Sequence, residues 1–203
     1  NLVKKQEKDF INMKFNLSQE HELIKKNARD FAENELLPGV IERDEKKIWP
    51  KDAIKKMSEM GFMGIMVDSK WGGSGMDPIA YTIAMEEISR VDASAAVVMS
   101  VNNSLVCSLL EKYGNDYQKE KYLSRLSKGE IIGAFSLSEP QSGSDASNMK
   151  TYAEKKGNYY LMNGIKNWVT SGINSDVVLV FAITEKNVGH KGISCFIVEK
   201  SYE

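Results

Sequence analysis

The sequence predicts an α+β chain, helical in its first two thirds and β in the remainder. Three observations carry this. Before Gly129 the apolar residues recur at helical spacing between N-caps and glycine stops. After it they fall into short runs with strand character. A Gly157-Asn158 pair between two of those runs has the chemistry of a hairpin turn.

Ser18 is a good N-cap, with Glu20 and Glu22 in the first turn, where the helix dipole favours acids. Ile24, Ala28, Phe31 and Ala32 then share one face, and Pro38 stops the run. A second helix has Pro50 in its first turn, buries Ala53, Ile54, Met57 and Met60, and ends at Gly61. The glycine-rich loop Trp71-Gly72-Gly73-Ser74-Gly75 follows. Asp77 and Pro78 open a third helix with Ala80, Ala84, Ile88 and Val91 on one side. From Ser94 to Leu110 there is no charged residue, so the fourth helix is expected to be buried on every side. Ser100, Asn102, Asn103 and Ser104 interrupt it; they either bond one another or line a pocket. Asn115 or Asp116 caps a fifth helix, which buries Tyr122, Leu123 and Leu126 and ends at Gly129.

Strands are expected at Ile131–Ser138, Thr151–Lys155, Tyr159–Asn163, Ile165–Thr170, Val177–Ile183 and Ile193–Val198. The division is therefore a leader at 1–13, a helical domain at 14–128 and a β domain at 129–203.

Composition narrows the function. Of 203 residues, 42% are hydrophobic and 27% charged, which is ordinary globular composition. Basic and acidic residues number 27 and 28, for a net charge of -1, so no footprint for nucleic acid or an anionic membrane is expected. The longest unbroken apolar run, Val177–Ile183, is too short to span a bilayer, and residues 1–12 have no apolar segment of a secretory signal. Cys107 and Cys195 lie far apart in apolar runs and read as buried thiols in a reducing compartment, the cytoplasm or, in a eukaryote, the mitochondrial matrix. His21 and His190 have no partner at metal-ligand spacing, so no metal site is expected. The glycine loop has no Walker lysine, and there is no G-x-S-x-G elbow.

Two segments carry chemistry. Phe135-Ser136-Leu137-Ser138-Glu139-Pro140-Gln141-Ser142-Gly143-Ser144-Asp145 leaves a strand and enters a turn rich in hydroxyls. Such a turn either serves the fold or offers amides and hydroxyls to a phosphate or a polar heterocycle edge. In Lys166-Asn167-Trp168-Val169-Thr170, strand alternation puts Trp168 and Thr170 on one face. That pair is either a core indole beside a solvated hydroxyl or a cover for a flat aromatic cofactor.

In this order, after a run of helices, Ser-Leu-Ser-Glu-Pro-Gln-Ser-Gly-Ser-Asp and Asn-Gly-Ile-Lys-Asn-Trp-Val-Thr resemble the acyl-CoA dehydrogenase family. Gly61-Phe62-Met63-Gly64-Ile65 leading to Trp71-Gly72-Gly73-Ser74-Gly75-Met76-Asp77 is similar to that family's early loop. The likeness covers nearly the whole chain from Met13 on. It implies an all-helical bundle domain, then a β-barrel-like antiparallel middle domain, with the family's C-terminal helical domain absent from these 203 residues. It implies FAD and the oxidation of an acyl-CoA thioester to the trans-2-enoyl-CoA.

By motif position the resemblance assigns the flavin to Phe135, Leu137, Ser138, Gly143, Ser144, Trp168, Val169 and Thr170. The Leu137 amide and Ser138 hydroxyl would meet the ring's pyrimidine side, Trp168 would shield the ring, and Thr170 would bond near N5. Ser144 would contact the cofactor pyrophosphate or the pantetheine arm of the substrate. Met99 to Leu105 resembles the short-chain, butyryl-type members, which places Ser100 and Asn103 on the acyl pocket. The catalytic glutamate is expected outside this chain, so the isolated chain would be inactive and bind FAD weakly. Electron-transfer flavoprotein and a homotetrameric parent protein are the implied partners. An oxidase or monooxygenase of the same superfamily, or a non-catalytic binding module, are the rival readings.

Overall fold

The computed structural model describes residues 16–202. The expected leader at 1–13 lies outside the described residues. Helix α1, Gln19–Phe31, begins where Ser18 Oγ accepts from the His21 amide at 3.1 Å. The His21 ring returns toward the Ser18 amide and also meets both Asp77 carboxylate oxygens at 3.1 Å, joining two helix starts. The helix continues as a wider π turn over Ala32–Leu36 and stops before Pro38. A short helix α2, Val40–Lys46, then follows Gly39. It was not expected, because it buries none of its residues and so leaves no apolar stripe to read. Its tether is Arg43, which donates to the Pro38 and Leu36 carbonyls and to Asp92.

Helix α3 is Lys51–Glu59, and α4 is Pro78–Ser89 with Asp77 as cap. Helix α5 runs over Ala93–Tyr113. It is long and apolar enough to cross a membrane, a length that no unbroken apolar run shows because serines and asparagines divide it. Here it is the central core helix, with Ala95, Met99, Val106 and Cys107 almost fully buried. Helix α6 passes through Asp116–Gln118, Lys119–Leu123 and Ser124–Ser127, opened by an Asn115–Gln118 capping box.

The strands are β1 (Gly133–Ser136), β2 (Tyr152–Lys156), β3 (Tyr159–Asn163), β4 (Val177–Ile183) and β5 (Ile193–Glu199). β2 and β3 form the expected hairpin, closed by Lys156 opposite Tyr159. β4 is the spine. β5 runs antiparallel along its whole length, from Val177↔Glu199 to Ile183↔Ile193. β1 lies parallel to it over Gly133↔Val177 to Ser136↔Val180, and β2 joins it parallel at Tyr152↔Ile183. The sheet is therefore mixed, not purely antiparallel. The chain leaves β1 through a long loop and a hairpin before β4 returns beside it, which permits parallel pairing. Residues 165–170, expected as a strand, form none.

Two apolar clusters hold the chain. One joins α1, α3, α4 and α5 around Phe31, Met57, Ile88 and Met99. The other spans both halves, with Val106, Leu123, Leu126, Val177 and Leu179. The sheet approaches α5 so closely at Gly133 that a Cβ there would lie 2.6 Å from Val106 Cγ1. Cys107 is buried, whereas Cys195 is exposed on β5, which corrects the expectation of two buried thiols; both are free.

Candidate functional site

The site grows from the end of β1. After Ser136 the chain makes a tight turn in which Glu139 and Ser142 exchange backbone hydrogen bonds at 2.7 and 3.1 Å around Pro140-Gln141. Ser142 Oγ then donates to the Asp145 carbonyl at 2.8 Å. Glu139 is turned inward and only 5% exposed. Its carboxylate accepts from Gln141 Nε2 at 2.6 Å, the Lys150 amide at 2.6 Å, the Thr151 amide at 3.0 Å and Lys166 Nζ at 2.8 Å. Burial pushes its pKa up, but the Lys166 ammonium and the backbone amides outweigh that and hold it down at about 2. Glu139 is thus an ionised strut of the turn, spent as an acceptor, and not a base.

The second segment is stapled to the first. Lys166 Nζ also donates to the Leu137 carbonyl at 2.9 Å, and the Asn167 amide donates to the Ser138 carbonyl at 2.8 Å. Gly164 lets this segment lie on Thr151, since a Cβ at 164 would sit 2.1 Å from Thr151 Oγ1. Beyond it Trp168 takes a left-handed backbone conformation, φ +58°, and is 92% exposed. Such a conformation is strained for a bulky residue and is found where surrounding structure enforces it. Trp168 and Thr170 are therefore brought to this surface by a loop, not by strand alternation. A turn follows, with the Gly172 amide on the Val169 carbonyl at 3.0 Å.

The expected flavin residues fall into two groups. Leu137, Ser138, Val169 and Thr170 are partly buried, and Gly143, Ser144 and Trp168 are exposed. Among the described residues neither the Leu137 nor the Ser138 amide has a protein acceptor, nor does the Ser138 hydroxyl have a partner. Nothing lies within 4 Å of the place a Gly143 side chain would take. Phe135 differs: its ring packs on Phe181 at a centroid distance of 5.0 Å and joins the core cluster between sheet and helices. Its side chain is committed to packing.

On α5 the polar residues bond mainly to backbone. Asn103 is 1% exposed, accepts from the Ile65 amide at 2.9 Å and donates to the Phe62 and Met99 carbonyls at 2.8 and 2.9 Å. Both its N–H groups are used, so Asn103 is a clamp on the early loop, which corrects its assignment to substrate. Asn102 does the same for Met63, Leu126 and Gly133. Ser100 is partly buried and meets the Tyr81 hydroxyl at 3.1 Å.

Free donors at 137 and 138, open space at 143 and an exposed indole at 168 are what a large polar aromatic ligand with an anionic tail would need. The surface is open. One cleft of about 460 Å³ is lined by Ser147, Lys150, Tyr152 and Lys186, and one of about 630 Å³ by Ile41, Trp49, Val98 and Asn174, the last on the turn after Thr170. Among the described residues no group of three or more His, Cys, Asp or Glu is gathered for a metal ion. Lys166 and Gly164 escaped the sequence reading. Both stand in the Asn-Gly-Ile-Lys-Asn-Trp-Val-Thr segment, but their roles depend on Thr151, Leu137 and Glu139, which lie farther back in the sequence.

Comparison with known proteins adds the lineage. Residues 18–130 match the family model described as the acyl-CoA dehydrogenase N-terminal domain, and residues 134–203 match that of the middle domain. The short-chain specific acyl-CoA dehydrogenase of Clostridium acetobutylicum is 43% identical over 191 residues, 94% of this chain and 50% of the relative. A 3-(aryl)acrylate reductase of Clostridium sporogenes is 45% identical over 186 residues, 92% of this chain and 49% of the relative. A solved structure described as the electron transferring flavoprotein of Acidaminococcus fermentans, from work on flavin-based electron bifurcation, contains a chain with TM-score 0.90 and 43% identity. The match covers 93% of this chain and 50% of that one. The chain thus spans about half the length of the relatives it matches.

Proposed function

The chain belongs to the acyl-CoA dehydrogenase family, and from that premise we propose that it forms the flavin-facing half of an FAD-dependent enzyme that oxidises a short-chain acyl-CoA to the trans-2-enoyl-CoA. The observation that carries the reading is the stapled pair of segments, with free amides at Leu137 and Ser138 beside the exposed Trp168.

The roles are those the family resemblance implies, and the groups present suit them. The Leu137 and Ser138 donors hold the pyrimidine edge of the cofactor, where negative charge collects on reduction. The indole of Trp168 shields the ring from water, with Val169 beside it, and Thr170 donates near N5. The open backbone at Gly143 and the exposed Ser144 let the pyrophosphate or the pantetheine arm approach. Ser100 lies on the acyl side. FAD supplies the hydride acceptor when bound. The α-proton needs a base, and among the described residues the buried acids are committed: Glu87 to Arg29 and Arg90, Asp92 to Arg43, Glu139 to Lys166. The family resemblance assigns that base to a glutamate outside these residues, and on that reading the 203-residue chain alone turns nothing over. Butyryl-CoA is the favoured substrate, electron-transfer flavoprotein the electron acceptor, and a homotetramer in the cytoplasm or an equivalent reducing compartment the working form. The likeness to a short-chain specific relative and to a chain of an electron-transferring flavoprotein structure supports the choice of substrate and of electron acceptor.

Protein purified from its own cells should carry a yellow flavin band that butyryl-CoA bleaches without oxygen, with the electrons reducing an artificial dye and forming no peroxide. The recombinant 203-residue chain should give no bleaching. A band that no short-chain thioester bleaches, bleaching by the chain alone, or peroxide as the product contradicts the proposal. The arylacrylate reductase among the relatives favours one second reading, in which electrons run the other way. Reduced flavin that a free arylacrylate reoxidises and crotonyl-CoA does not would select it.

A further inference from the structure

We propose that Lys166 is a positioning residue for the cofactor: its ammonium bridges the Leu137 carbonyl and the Glu139 carboxylate, and so fixes and polarises the peptide whose free N–H belongs to Ser138. The inference rests on the flavin reading above and deepens it.

The Lys166 side chain is 10% exposed and that of Glu139 is 2% exposed. Ion pairs this far from water are strong only when their remaining hydrogen-bonding capacity is satisfied. Glu139 meets that condition with two backbone amides and Gln141, and Lys166 spends a second of its three N–H donors on the Leu137 carbonyl at 2.9 Å. The direction of that last bond matters. A full positive charge on the oxygen of an amide draws electrons toward it and makes the N–H of the same peptide unit a better donor, an effect enlarged where the dielectric is low. The N–H of the Leu137–Ser138 peptide is the Ser138 amide, which has no protein acceptor among the described residues. The Asn167 amide does the same to the next peptide, through the Ser138 carbonyl at 2.8 Å. Residues 164–170 form no strand, so these bonds hold the two segments in register where a ladder would otherwise do so. Lys166 is therefore tuned to the ligand-facing amide as well as to the turn.

The test uses the ¹⁵N-labelled chain titrated with FAD, and follows both amide shifts and the reduction potential of the bound flavin. In the wild type the Leu137 and Ser138 amides move saturably. Lys166→Met is expected to bind FAD about tenfold more weakly, the scale of one charge-assisted hydrogen bond, and to hold flavin at a more negative potential. Because a lone Glu139 carboxylate endangers the fold, Glu139→Gln/Lys166→Met is made alongside. It removes both charges, keeps the turn, and should show the same weak binding and lowered potential. Lys166→Arg keeps a positive donor and should recover most of both. If FAD moves neither amide in the wild type, the flavin reading fails and this inference with it. If the amides respond but the double variant binds FAD with wild-type affinity and potential, the role of Lys166 is overturned while the flavin reading stands.

Discussion

Glu139 and Lys166 sit between the two segments that matter, and the charge state of the carboxylate is open to measurement. An ordinary glutamate titrates near 4.3, whereas Glu139 is held at about 2 in the folded chain. The folded value lies below the unfolded one, so its contribution to stability is complete above about pH 4.3 and is lost as pH falls toward about 2. Urea midpoints at pH 6 and pH 3 should therefore diverge less in Glu139→Gln than in the wild type; an equal divergence would show that the buried pair does not set acid stability. Trp168 is the other residue with a sharp expectation. Its positive φ suits glycine far better than an indole. Trp168→Gly should leave urea stability unchanged or slightly higher while lowering FAD affinity, which separates strain kept for a ligand from a side chain needed for packing.

Helix α5 is the element on which both halves depend. Asn102 is completely buried, donates to the Met63 and Leu126 carbonyls, and accepts from the Gly133 amide at the start of β1. Asn102→Ala leaves the Met63 carbonyl and the Gly133 amide without a partner, while the Leu126 carbonyl keeps the Gly129 amide, and a loss of about 3 kcal/mol in urea unfolding is expected, well above the cost of a surface change. A loss below about 1 kcal/mol would mean that water replaces the amide. The composition of α5 announced a buried helix, and the caps at Ser18, Asp77 and Asn115 announced where three others start. What the asparagines do was not legible, because their partners at 62, 63 and 65 lie some 40 residues earlier. The hairpin at Gly157-Asn158 and strand β4 were readable from local patterns. The parallel pairing of β1 with β4 was not, since it joins residues more than 40 apart. Alternation misled at 165–170, where Lys166 and Gly164 bind the segment to the turn in place of a ladder. The site was thus visible as two motifs, and its geometry was not.

At the scale of the molecule, the β half is tied to the helices by the second apolar cluster, by the Asn102–Gly133 bond and by a polar knot at Glu199. Tyr122 donates to Glu199 at 2.7 Å, and Lys121 pairs with the same oxygen at 2.6 Å. Tyr122→Phe keeps the ring and removes the hydroxyl, so a loss of about 1 kcal/mol is expected, seen as one cooperative transition at a lower urea midpoint. Two separated transitions would show that the halves unfold independently. The account as a whole turns on the indole and the amides of 137 and 138 sharing one flavin surface. The three tryptophans of the chain make this measurable, since Trp49 and Trp71 are partly buried and Trp168 is exposed. Adding FAD should quench tryptophan emission along a saturable curve, and Trp168→Phe should abolish the saturable part. Quenching that never saturates, or that persists unchanged in Trp168→Phe, would contradict it.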